Sequence, residues 1–68
     1  SNEQDWIQVK YYNGIVWGQK CAICKLEVRE DQEIVQCMNC KTLFHKQHLS
    51  QWLKSNTKCP VCERIIMF

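Results

Sequence analysis

The feature that most constrains this chain is the recurrence of a cysteine pair two residues apart: Cys21-Ala-Ile-Cys24, Cys37-Met-Asn-Cys40 and Cys59-Pro-Val-Cys62, with His45 and His48 between the last two pairs. A chain of 68 residues is one domain, and at that size apolar burial alone rarely offsets the entropy of ordering the backbone. Cross-links must supply the rest. Disulfides would serve, but each C-x-x-C turn also lets two thiolates reach one tetrahedral ion, and soft sulfur with borderline imidazole is the ligand set of Zn²⁺. Three repeats of the same two-residue pairing with two histidines favour metal over disulfides, and an ordinary core of buried thiols would not explain the repetition.

No apolar run approaches the length of a membrane span, since the longest is Ile65-Ile66-Met67-Phe68, and no signal peptide is visible in these residues. Reduced thiols fit cytoplasm or nucleus. Ser1-Asn2 reads as a processing or expression remnant, so the chain is expected to be a fragment of something longer. The formal charge of +2 vanishes once six thiolates bind two dications, and the nine Lys and Arg are scattered from Lys10 to Arg64. A nucleic-acid surface is not expected.

Along the chain, residues 1–20 read as an N-terminal β segment and residues 21–68 as the metal-binding unit. Residues 5–17 are rich in aromatic and β-branched types, with Asn13-Gly14 suited to a tight hairpin turn. Ile34-Val35 read as a short strand. His45, His48, Leu49, Trp52 and Leu53 share one helical face, which predicts a helix over residues 46–55 closed by Asn56.

Taken in order, the eight ligands Cys21, Cys24, Cys37, Cys40, His45, His48, Cys59 and Cys62 are separated by two, twelve, two, four, two, ten and two residues. With Phe44 before His45, Trp52-Leu53 after His48 and Pro60 inside the last pair, this pattern resembles the RING-finger family. The fold class so implied is a small zinc-stabilised α+β domain with one short helix, short strands and a cross-brace of two zincs. The resemblance assigns Cys21, Cys24, His45 and His48 to one zinc and Cys37, Cys40, Cys59 and Cys62 to the other; spacing alone leaves sequential pairing open. A PHD finger shares the Cys37, Cys40 and His45 spacing, but it usually has a longer gap before the last pair and a Trp where this chain has Thr57.

The resemblance implies a RING-type E3 ubiquitin ligase module, an adaptor without a catalytic cysteine because every thiol is a ligand. Its partner would be a ubiquitin-loaded conjugating enzyme, docked on Ile23, Trp52 and Pro60, with Val61 beside them. A hydrogen-bonding "linchpin" Arg or Lys often follows the last ligand in this family; Glu63 stands there, with Arg64 one place on. Val9-Lys-Tyr-Tyr-Asn-Gly-Ile-Val-Trp17 also resembles the start of the small RING subunits of cullin-RING ligases and the anaphase-promoting complex. There the segment adds a strand to a cullin-like scaffold, so residues 6–17 are either such a strand or half of an intrachain hairpin. No further Cys or His between Cys24 and Cys37 provides the third zinc of those subunits. A non-catalytic zinc-stabilised interaction domain is the alternative function.

Overall fold

The computed structural model describes residues 6–67, so the readings of Ser1-Asn2, Asp5 and Phe68 lie outside the described residues. Strand β1 (Trp6–Tyr11) lies inside a four-stranded sheet of order β3-β2-β1-β4, with β2 at Ile34–Cys37, β3 at Leu43–His45 and β4 at Ile65–Met67. Its two halves have different partners. Val9, Lys10 and Tyr11 pair antiparallel with Cys37, Gln36 and Val35 of β2, while Trp6, Ile7 and Gln8 pair parallel with Ile65, Ile66 and Met67 of β4.

The intrachain hairpin at Asn13-Gly14, one of the two alternatives for residues 6–17, is not formed. A type I′ turn needs two residues at positive φ, and among the described residues only Gly18, Lys25, Lys41 and Glu63 have it. Tyr12 instead donates its N–H to Ile34 O at 2.8 Å, continuing the β1–β2 ladder, and turns its hydroxyl onto Ile15 O at 2.8 Å. Gly14 is needed for a different reason. A Cβ placed there would lie 2.5 Å from the Tyr12 hydroxyl oxygen, so the missing side chain makes room for the folded-over ring.

Strands β2 and β3 form an antiparallel pair in which Ile34, Val35 and Gln36 face His45, Phe44 and Leu43, and the second C-x-x-C loop connects them. The short β2 was expected; β3 and β4 were not. The core gathers Val35, Phe44 and Leu49, all fully buried, with Cys21, Cys37 and Cys59, so half of the largest buried side chains are prospective metal ligands.

Helix α1 (Lys46–Trp52) starts directly from β3, with His45 as an extended N-cap whose side chain makes no capping bond and is left free for the site. It ends earlier than the expected residue 55. Ser55 N–H and Asn56 N–H both return to Trp52 O, at 3.2 and 3.1 Å, and the Asn56 amide adds a third bond to the same oxygen at 3.2 Å. These bonds tighten the chain into turns, as short polar side chains do when they compete with the helical ladder. No helix among the described residues is long and apolar enough to cross a membrane.

Two candidate metal centres

The three C-x-x-C segments fold alike. In each, the residue after the second cysteine returns its N–H to the carbonyl of the first: Lys25 to Cys21 at 2.9 Å, Lys41 to Cys37 at 2.8 Å and Glu63 to Cys59 at 3.0 Å. The first cysteine in turn donates its N–H to the residue five places on, Leu26, Thr42 and Arg64 respectively. Closing so tight a loop puts Lys25, Lys41 and Glu63 at φ values of 68, 64 and 66°, the left-handed region. Nothing in the residue types announced this, since none of the three is Gly or Asn.

Free N–H groups inside the loops then point at sulfur. Ile23 N–H meets Cys21 Sγ at 3.4 Å, and Val61 and Cys62 N–H meet Cys59 Sγ at 3.4 and 3.5 Å. Such donors stabilise thiolate over thiol.

The sheet and helix then bring the loops together in an interleaved pattern. Cys21, Cys24, His45 and His48 form one group and Cys37, Cys40, Cys59 and Cys62 the other, with the ligand atoms of each group within 4.8 Å of one another. Cys24 Sγ lies 3.4 Å from His45 Nδ1 and Cys21 Sγ 3.9 Å from His48 Nδ1. Sequential pairing, which spacing had left open, is not the arrangement. In the second group Cys37 faces Cys62, and Cys40 faces Cys59, at 3.8 Å between sulfurs. A disulfide would need about 2.05 Å, whereas the edge of a tetrahedron with Zn–S bonds of about 2.3 Å is about 3.8 Å. The donor set fits zinc, and all six cysteines are free of disulfides.

The protonation of these thiols argues the same way. Burial pushes Cys37 up to about 12, aided by the thiols of Cys40 and Cys62, while N–H groups of Cys40 and Asn39 offset only part of the rise. Cys59 is raised by burial too. Burial also raises Cys62, yet the Asn39 side chain, the Arg64 N–H and the neighbouring thiols outweigh it and bring Cys62 down to about 7. A dication held among these sulfurs would favour the thiolate form that burial opposes at Cys37 and Cys59. In the histidine-containing group burial likewise raises Cys21, but N–H groups of Cys24, His45 and Ile23 and the His48 ring bring it down to about 6.

With four protein ligands each, both centres have the closed composition of structural zinc, which cross-links distant segments and leaves no open position for chemistry. The first ties loop 21–24 to the start of α1, and the second ties loop 37–40 to loop 59–62. Each centre thus spans the other's sequence.

Of the remaining expected site residues, Trp52 ends α1, half-buried against the core, and its indole N–H donates to Lys58 O at 2.7 Å. That bond was not legible in the sequence. Trp52, Lys58, Pro60 and Glu63 wall one open groove of about 490 Å³. Ile23 is half-buried on the first loop and Val61 is 50% exposed on the third; neither lines that groove. Arg64 is exposed.

Residues 19–63 match the Ring finger domain family. The chain is 47% identical over 45 residues to the zebrafish (Danio rerio) E3 ubiquitin-protein ligase RNF181, covering 66% of this chain and 28% of that protein. It is 46% identical over 44 residues to the E3 ubiquitin-protein ligase arkadia of Xenopus tropicalis, covering 65% of this chain and 4% of that protein. To the RING-H2 finger protein ATL30 of Arabidopsis thaliana it is 43% identical over 49 residues, covering 71% of this chain and 17% of the relative. The chain thus spans less than a third of each of these relatives. With its ligands interleaved over two four-residue donor sets and the family match covering most of its length, the chain belongs to the RING finger family.

Proposed function

We propose that this domain is a RING-type E3 ubiquitin ligase module, binding a ubiquitin-loaded conjugating enzyme and orienting its thioester for attack. The observation that carries the reading is the allocation of side chains. Every thiol and both imidazoles belong to the two candidate centres, so no free thiol is left on which ubiquitin could be held as a thioester. Transfer then takes place within the conjugating enzyme: a substrate amine attacks the thioester carbonyl and the enzyme's cysteine thiol leaves. The contribution of the RING domain is positional.

Docking is assigned to Ile23, Trp52, Pro60 and Val61. The groove between Trp52 and Pro60 is apolar on two sides, and Val61 stands exposed on the same loop as Pro60. Glu63 lines that groove as well, placing an acceptor where the family often has a donor. That observation favours a second reading, a domain that docks partners without accelerating transfer, unless Arg64 performs the linchpin role. A cullin-like scaffold at residues 6–17 would meet the exposed Tyr11, Ile15 and Trp17. Both halves of β1 already have a partner strand in this chain.

The test is discharge of ubiquitin from a panel of conjugating enzymes onto free lysine, with and without the zinc-loaded domain. Acceleration with at least one enzyme supports the ligase. Binding without acceleration supports the second reading.

A further inference from the structure

Between the first loop and β2 the chain makes a tight turn at residues 29–32, closed by Gln32 N–H donating to Arg29 O at 3.1 Å. The Gln32 side chain folds back over the same turn, and its Oε1 accepts the Arg29 N–H at 2.9 Å. That contact fixes which way the amide faces, because a backbone N–H can meet only the oxygen end. The same oxygen lies 2.9 Å from His45 Nε2. An amide oxygen only accepts, so Nε2 carries the imidazole proton. The bare lone pair is then on Nδ1, the nitrogen 3.4 Å from Cys24 Sγ inside the candidate centre.

We infer that Gln32 is a positioning residue for the histidine-containing zinc centre, holding the buried His45 ring in the tautomer and orientation that present Nδ1 to the metal. Gln32 supplies no ligand itself. His45 needs such help because its backbone is the hinge between β3 and α1, where the N-cap makes no side-chain bond that would fix the ring. The acceptor comes from a loop thirteen residues earlier in the chain, so the bond also fastens the 25–33 connection to the centre. The other centre has no histidine and no comparable requirement. This role depends on the zinc assignment and is independent of the ligase reading.

The test compares Gln32→Leu and Gln32→Glu with the parent chain. Zn²⁺ affinity is measured by chelator competition, and Co²⁺ substitution distinguishes the S₂N₂ from the S₄ centre by their separate d–d bands. Loss of the orienting acceptor should weaken the S₂N₂ centre about tenfold, the low end of such effects because Gln32 is exposed and water can take its place. The S₄ centre should stay unchanged. Gln32→Glu, which keeps an acceptor at the same reach, should restore affinity, and the His45 Nε2–H resonance of the zinc-loaded chain should exchange faster in Gln32→Leu alone. Parent-like affinity in Gln32→Leu, an equal loss at both centres, or failure of Gln32→Glu to restore binding would each overturn the assignment.

Discussion

Trp52 separates docking from folding, because its two contacts can be removed one at a time. Its indole N–H bond to Lys58 O, at 2.7 Å, ties the end of α1 to the strand of chain entering Cys59. A hydrogen bond of this kind contributes about 1 kcal/mol, and the exposed Lys58 carbonyl can turn to water when it is lost. Trp52→Phe should therefore cost about 1 kcal/mol of stability. Trp52→Ala also removes the ring; full burial would make that about 3–5 kcal/mol, and a half-buried ring should lose about half as much. Two occupied zinc sites dominate stability on the scale of about 10 kcal/mol each, so both variants should stay folded with zinc content unchanged. If the exposed part of the ring is the anchor for a conjugating enzyme, Trp52→Ala should lose about 2 kcal/mol of binding, close to thirtyfold in Kd. Trp52→Phe should lose far less. Calorimetric titration of zinc-verified samples, paired with discharge rates, measures both effects. Parent-like binding and discharge by Trp52→Ala would refute the docking assignment, and loss of zinc in step with loss of binding would show that the residue acts only through the fold.

Metal analysis should find two zincs per chain, and a strong chelator should abolish the far-ultraviolet and amide-dispersion signatures of the fold; one zinc, or a chelator-resistant fold, would contradict the two centres. Glu63→Arg should accelerate discharge by placing a donor in the groove, whereas Arg64→Ala in the parent should slow it only if Arg64 already performs that role. If neither alters the rate while Trp52→Ala abolishes it, docking alone accounts for the activity. Gly14→Ala should lower the thermal midpoint by displacing the Tyr12 ring, costing about 1 kcal/mol through the lost Tyr12–Ile15 hydrogen bond. In a Tyr12→Ala background the same change should cost almost nothing, and an equal cost there would show that the clash is not the cause.

Ligand identity and number belong to the sequence, because a C-x-x-C loop is a local object: its two sulfurs converge through bonds made within six residues. The β2 strand and the start of the helix were legible for a similar reason, from β-branched residues and from the shared face of His45, His48, Leu49 and Trp52. Which loops share an ion was decided by tertiary structure, since the spacings admit both pairings and it is β3 that meets loop 21–24, Leu43 O accepting the Ala22 N–H at 3.2 Å and His45 N–H meeting Cys21 Sγ at 3.4 Å where the helix begins. The same holds for the fate of Asn13-Gly14. Its local preference for a hairpin turn yields to two strands, β2 and β4, which hydrogen-bond β1 from either side and have no mark in residues 5–17. Gln32 and the Trp52–Lys58 bond were illegible because each joins a side chain to a group whose position depends on the completed fold. Long-range contacts of this kind leave no periodicity in sequence, whereas metal ligands do, because coordination geometry fixes the spacing within each pair before the chain folds.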